Sequence, residues 1–318
     1  MKVGVFVQTC DADAGRMFGV DEVVRTIERA EELGFESAWV MDHPFIERPA
    51  GRLTGHDPLV LLACAAARTR RIRLGTLVVC PAFRTVGQLA REAAALADAS
   101  GGRFILGLGS GWHQPEFDAF EYPFDHLVGR FEEQLTAVRD LLGGGRVTAE
   151  GRYVRLREAE VIATAAPPPI WIAAKGPRML RLTARCADGW NLAWGGPDPG
   201  WLAASLAGLA RELDAAGRER GSFTVSAGIS WVPDGGGGTA AELGRTLDAY
   251  GAAGVDLAIL SLAVGPSQIR RRRGRLPGRG RHRSRRPSCR APRRARTPWP
   301  RSMSPASGAG DQPAARRP

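Results

Sequence analysis

Residues with acid–base or ligand-binding chemistry follow several short apolar segments of this chain. Asp42 and His43 come directly after the apolar segment 37–41. An imidazole at the end of a strand could transfer a proton or hydrogen-bond a cofactor ring at neutral pH. The structural alternative is that Asp42 caps the next turn and that His43 fills space. Both interpretations stay open at this point.

A glycine-rich turn follows the apolar run 104–108. Its glycines remove side chains where the backbone could approach a ligand closely, although a tight structural turn would explain them equally well. Ser110 in this turn offers a hydroxyl, and Trp112 offers a ring face. Glu116, on the same loop, is either an acid or a solvated side chain. The three glycines are Gly107, Gly109 and Gly111.

Two further segments end in residues of interest. Segment 169–173 leads through Lys175 and Gly176 into a predicted helix, whose first backbone N–H groups could hold a phosphate with added charge from Lys175 and Arg178. A purely structural loop is the alternative. Cys80 follows segment 72–79 with no His at motif spacing, so we interpret it as a small apolar filler instead of a nucleophile.

The elements that must position these residues are strands and helices in strict alternation. Short apolar runs without polar alternation are typical of strands that are covered on both faces. Eight strand–helix units predict a closed α/β barrel of the (β/α)8 TIM type, with a doubly wound sheet as the alternative. A β-hairpin insertion is predicted at 146–162, after the fourth helix. The predicted strands are 3–7, 37–41, 72–79, 104–108, 169–173, 189–193, 223–232 and 255–262.

The end of the chain differs in composition from the rest. Residues 266–318 contain 17 arginines, nine prolines and one acidic residue, whereas residues 1–265 hold 27 basic and 32 acidic residues, a net charge of −5. We predict a barrel domain over 1–265 and a disordered tail over 266–318, which stands in the place of the expected eighth helix. The tail could bind nucleic acid non-specifically, or it is the product of a shifted reading frame in GC-rich DNA.

The cysteines and the apolar segments bear on the compartment. Five cysteines are scattered singly with no C-x-x-C pair, which favours a reducing compartment over a disulfide framework or a zinc site. No signal-peptide pattern opens the sequence, and no apolar run approaches the ~20 residues needed to span a bilayer. From these features we expect a cytoplasmic protein with no membrane partner. P-loop and zincin motifs are also missing, and we expect no metal site.

Several motifs, in order and with matching spacing, resemble the bacterial luciferase-like monooxygenase family. Within that family the chain is similar to actinobacterial oxidoreductases that use a deazaflavin, coenzyme F420, in place of FMN. The resemblance implies a TIM barrel that binds this cofactor and a small organic substrate, with a homodimer as the expected assembly. The motifs are 34–43, 74–78 with 83–84, 97–112, 168–173 with 175–178, and 187–191.

The resemblance also implies roles for single residues. His43 would contact the cofactor ring and transfer a proton, and a non-prolyl cis peptide between Leu77 and Val78 would support the ring. Trp112 stands where a related dehydrogenase carries a glutamate, which argues against its sugar substrate. The expected cofactor-binding residues are Asp42, His43, Leu77, Val78, Cys80, Gly109, Ser110, Gly111, Trp112, Lys175 and Gly176.

Two alternatives to the F420-dependent oxidoreductase remain. The first is an FMN-dependent monooxygenase that uses dioxygen. The second belongs to another class: a truncated and inactive barrel, or a protein that binds nucleic acid through its arginine-rich tail.

Overall fold

The computed structural model describes residues 1–11, 15–48, 51–231 and 238–262. Eight parallel strands in these ranges pair in chain order, and the last pairs with the first, so the sheet closes on itself. Closure confirms the predicted barrel and excludes the doubly wound sheet. The strands are β1 (Lys2–Phe6), β2 (Ser37–Val40), β3 (Arg73–Thr76), β4 (Phe104–Leu108), β5 (Ile170–Ala173), β6 (Gly189–Gly195), β7 (Thr224–Trp231) and β8 (Leu257–Leu262).

Helices cover the outside of the barrel, and most of them bury apolar side chains in the core between helices and strands. In the first helix the buried face includes Val23, Val24 and Ile27. The expected eighth barrel helix and the predicted tail fall outside the described residues. The described helices are α1 (Val20–Glu32), α2 (Pro58–Arg68), α3 (Val86–Ala99), α4 (Gln114–Ala119), α5 (Leu127–Leu142), α6 (Pro177–Cys186), α7 (Ala203–Ala215) and α8 (Ala240–Ala252). None of them is long and apolar enough to span a bilayer.

Large side chains fill the barrel interior. The rings of Trp39 and Trp171 lie 5.2 Å apart, in one cluster with Phe6 and Ile105. A Cβ atom on Gly75 would lie 2.3 Å from the Trp39 ring, so the wide indole depends on a glycine in the neighbouring strand. Because the interior is packed, a ligand can bind only at an end of the barrel.

Within the described residues, three short antiparallel pairs extend from the barrel. The pair Arg146–Glu150 with Arg155–Glu160 is the predicted hairpin insertion, in the fourth unit. The other two pairs, which the sequence did not reveal, join Cys10–Asp11 to Arg16–Met17 and Phe45–Arg48 to Gly51–Thr54. Both lie in loops at the C-terminal ends of the first two strands, the same end as the candidate site.

Candidate active site at the C-terminal end of the barrel

His43 is held by a buried carboxylate. Its Nδ1 lies 3.0 and 3.1 Å from the two carboxylate oxygens of Glu116, and the Phe45 backbone N–H donates to Oε1 of the same carboxylate at 3.3 Å. The Glu116 side chain is only 2% exposed, whereas that of His43 is 27% exposed. A neutral imidazole that donates from Nδ1 keeps a lone pair on Nε2, so Nε2 is the nitrogen available to a ligand.

Glu116 also contacts a second histidine. Nδ1 of His113 lies 3.2 Å from Oε2 of Glu116. The interpretation of Glu116 as a solvated side chain was therefore wrong. Its position in the loop after β4 was visible in the sequence, but its partner His43 lies 73 residues earlier in the chain. Helix α4, which carries Glu116, is too short for apolar periodicity to reveal.

Asp42 connects the loop after β2 to the loop after β3. Its Oδ2 accepts hydrogen bonds from the Arg84 guanidinium at 2.6 Å and from the Cys80 backbone N–H at 3.0 Å. Arg84 also donates to Asp57 at 2.6 Å. Burial lowers the pKa of Arg84, but the hydrogen bonds to these carboxylates raise it above its ordinary value. Asp42 thus cross-links two loops of the site, which is a wider role than capping the next turn.

The peptide bond between Leu77 and Val78 is cis, as the resemblance implied. The backbone passes close to neighbouring atoms on both sides of this bond. A Cβ atom on Gly107 would lie 1.9 Å from the Thr76 carbonyl oxygen, and one on Gly109 would lie 2.6 Å from Cγ2 of Val78. Of the two interpretations of the glycines, packing of the protein against itself accounts for both positions.

Cys80 packs below the same turn. Burial raises the pKa of its thiol to about 12, and the residue is 5% exposed. Gly111 has a φ of +80°, and a Cβ atom there would lie 2.9 Å from the Cys80 sulfur. A thiol that stays protonated at neutral pH is a poor nucleophile. Burial therefore supports the interpretation of Cys80 as a small apolar filler, and contact of Cys80 with a cofactor stays a prediction.

The tryptophans near the strand ends divide into two groups. Trp171 and Trp190 are buried, whereas Trp112 and Trp194 are 73% and 42% exposed. The Trp112 ring lies 6.0 Å from the His43 ring, and Trp194 packs against Phe6 at 5.1 Å. Of these four indoles, those of Trp112 and Trp194 remain available to a flat ligand, and Trp112 lies next to His43.

The loop after β5 is exposed. Gly176 is the residue at the N-terminal cap of α6, and Lys175 precedes it. Arg178 donates to Glu132 at 2.6 Å, so its charge is already paired. Trp190 fixes the start of the loop, because its indole N–H donates to the Ala174 carbonyl at 2.9 Å. A phosphate site at Lys175 and Gly176 stays a prediction.

Asn191 is a buried polar residue that the sequence reasoning missed. It lies in β6 at 2% exposure, and its Oδ1 accepts a hydrogen bond from the Ser226 hydroxyl. Its Nδ2 has no hydrogen-bond partner among the described residues. An amide inside an otherwise apolar strand was the available signal, since a buried polar group without a partner is costly.

A family model described as luciferase-like monooxygenase matches residues 1–300. The chain belongs to that family. An F420-dependent glucose-6-phosphate dehydrogenase from Intrasporangium calvum is 36% identical over 185 residues, which cover 55% of this chain and 54% of the relative. The chain thus spans about half the length of the first curated relatives it matches.

Two solved structures have the same fold. The monooxygenase RslO1 from Streptomyces bottropensis is 27% identical with a TM-score of 0.66, over 85% of this chain and 96% of that chain. The coenzyme F420-dependent tetrahydromethanopterin reductase from Methanopyrus kandleri is 20% identical with a TM-score of 0.69, over 85% and 95% of the two chains. At that identity the second likeness shows the fold alone.

Proposed function

We propose that this luciferase-like protein is an oxidoreductase that transfers a hydride between coenzyme F420 and a small organic substrate. The observation that carries the proposal is the rim at which His43, oriented by buried Glu116, lies beside the exposed ring of Trp112. The relative from Intrasporangium calvum, whose name states F420 dependence, supports the choice of cofactor.

The chemistry of the donor set fits a flat deazaflavin ring. The cis peptide between Leu77 and Val78 lies in the loop after β3, and Ser110 and Trp112 lie in the loop after β4. The Trp112 ring is 6.0 Å from the ring of His43, which lies in the loop after β2. We assign to these residues the binding of the ring, and to Lys175 and Gly176 the binding of its phosphate. When bound, the deazaflavin supplies the hydride chemistry.

In this proposal His43 moves a proton at Nε2. Glu116 keeps the proton of the resting imidazole on Nδ1 and fixes the ring orientation, while the Phe45 N–H holds the carboxylate in place. A positioned general acid or base of this kind contributes about 100- to 10,000-fold to a rate. Asp42 and Arg84 have a positioning role, because their hydrogen bonds hold together the loops that carry His43 and Cys80.

The substrate class differs from that of the sugar phosphate dehydrogenases. Trp112, which offers an apolar ring, stands where the resemblance places an acidic residue in a related enzyme. We therefore propose a substrate other than glucose 6-phosphate.

An FMN-dependent monooxygenase is the second candidate function. It is favoured by the likeness to RslO1, a monooxygenase that is 27% identical.

Titration of the full-length protein with reduced F420 and, separately, with reduced FMN tests the cofactor. We expect tighter binding of F420, and weaker F420 binding in Ser110→Ala. His126→Asn, which changes an exposed histidine with left-handed backbone that asparagine tolerates, serves as the control. Equally weak binding of both cofactors would overturn the proposal, and tight binding of FMN alone would favour the monooxygenase.

Three further statements stay predictions: a homodimer, a cytoplasmic location, and a domain boundary near residue 265 with nucleic acid bound at most non-specifically by the tail. The scattered cysteines support the reducing compartment. Size-exclusion chromatography with light scattering tests the homodimer, for which a monomer would be the contrary result.

A further inference from the structure

Two imidazoles converge on one oxygen of a buried carboxylate. We call His43, His113 and Glu116 the two-histidine cluster. Oε2 of Glu116 lies 3.0 Å from Nδ1 of His43 and 3.2 Å from Nδ1 of His113. One potential ligand atom from each of the three residues lies within 4.8 Å of the other two.

The two separations from Oε2 of Glu116 match the edges of a metal coordination shell. Ligands that lie ~2.1 Å from a zinc-sized ion are about 3.0 Å apart at adjacent octahedral positions and about 3.4 Å apart in a tetrahedron. The two distances from Oε2 of Glu116 fall in this interval. The two Nδ1 atoms lie within 4.8 Å of each other, so side-chain rotation that brings them to a shell edge would let a metal take the place of the imidazole protons.

The surroundings of the two-histidine cluster also favour the binding of an ion. The Phe45 N–H donates to Oε1 of Glu116, and outer hydrogen bonds of this kind orient metal ligands. The Glu116 side chain is 2% exposed, so the carboxylate cannot turn out into water. The side chains of His43 and His113 are 27% and 21% exposed, which gives an ion and its remaining water ligands access from solvent.

We propose that the two-histidine cluster binds one divalent transition-metal ion of the zinc class, through Nδ1 of His43, Nδ1 of His113 and the Glu116 carboxylate. Nitrogen and oxygen ligands in this combination suit Zn²⁺ and Co²⁺. No contiguous motif marks this site, because the ligands combine His-x-x-Glu on one loop with a histidine that lies 73 residues before Glu116. An ion on Nδ1 of His43 would replace the hydrogen bond by which Glu116 orients this imidazole. We therefore expect bound metal to lower turnover. That expectation rests on the proposed function, whereas metal binding itself does not.

Co²⁺ is the probe, because its visible absorption reports nitrogen and oxygen ligation directly. Full-length protein that carries Cys64→Ser, which removes an exposed thiol, is titrated with Co²⁺ and then with Zn²⁺. We expect one equivalent of Co²⁺ with visible absorption that Zn²⁺ abolishes. His113→Asn and Glu116→Gln should each weaken binding by at least about 10-fold, since even outer-shell changes cost 10- to 100-fold. The control His126→Asn should bind as the parent does.

Three results would overturn the proposal: no uptake by the parent protein, uptake that persists in His113→Asn and Glu116→Gln, or uptake that His126→Asn abolishes. Circular dichroism and melting curves establish that each variant is folded. If Glu116→Gln does not fold, His113→Asn decides alone, because its side chain is partly exposed and its loss leaves the carboxylate bonded to His43 and Phe45. Since the readout is metal binding, failure here is distinct from failure of the F420 proposal.

Discussion

Gly107 in β4 lies against Thr76 of β3, and its replacement by alanine tests why this strand end is rich in glycine. The new Cβ atom would lie 1.9 Å from the Thr76 carbonyl oxygen and 3.0 Å from the carbonyl carbon. Contacts of this kind are comfortable at about 3.5 Å, so the strands would have to separate locally by roughly 1.5 Å. Thr76 opposes that movement, because its hydroxyl donates to the Gly107 carbonyl at 2.8 Å and accepts from the Gly107 N–H at 2.9 Å.

The expected cost has two parts. Overpacking in a close-packed interior costs about 1–3 kcal/mol. Separation of the strands also strains two hydrogen bonds between Thr76 and Gly107, each with a net value of about 0.5–1.5 kcal/mol. Together they predict a loss of about 2–6 kcal/mol in the free energy of unfolding. In a domain of this size the melting temperature would fall by about 4–24 °C.

Melting curves and urea unfolding of Gly107→Ala, with and without F420, measure this effect. Gly244→Ala is the matched control, because Gly244 lies within α8 and a Cβ atom there meets nothing within 4 Å. That control should be stabilised by about 0.5–1 kcal/mol, the helix preference of alanine over glycine. If Gly107→Ala melts with the parent protein but binds F420 poorly, close approach of a ligand explains this glycine and the packing argument is refuted.

Three more variants or conditions test the site and its supports. His43→Ala should lower turnover about 100- to 10,000-fold with a smaller rise in the F420 dissociation constant; unchanged turnover in steady-state kinetics would leave it a positioning role only. Iodoacetamide followed by mass spectrometry should label exposed Cys64 well before Cys80, whose buried thiol has a pKa of about 12, and equal labelling would contradict the buried position. Burial raises the pKa of Glu31, but three backbone N–H groups that donate to its carboxylate lower it below its usual 4.5. This stabilisation is complete above that ordinary pKa and is lost as the pH falls through the lower folded value, so Glu31→Gln should lower the urea midpoint near about pH 7 and have little effect well below about pH 4.

The apolar runs alone determined the order and number of the barrel strands. Strands that are covered on both faces must be apolar along their whole length, so each of the eight is visible without a partner. The hairpin at 146–162 was visible for a related reason, since it interrupts the alternation. By contrast, the short pairs near Cys10 and Phe45 have two to four residues per strand, too few for a periodic pattern to emerge.

Local sequence also placed the loops that carry chemistry, because strand ends in a barrel meet on one face. His43, Ser110 and Lys175 were candidates on that ground, and the cis peptide at Leu77 followed from the resemblance. The residues that a side chain contacts on that face are not determined by the residues next to it in sequence. They depend on which loops the closed barrel brings side by side.

Tertiary structure alone decided the environments of the critical groups. Glu116 is buried because the loop after β4 folds against His43 and Phe45, which come from the loop after β2. Asp42 finds Arg84 in the same way, across 42 residues of sequence. Burial, ionisation and hydrogen bonding are set by distances between elements that closure of the barrel establishes. For that reason the sequence named the candidate residues, and only the fold paired them.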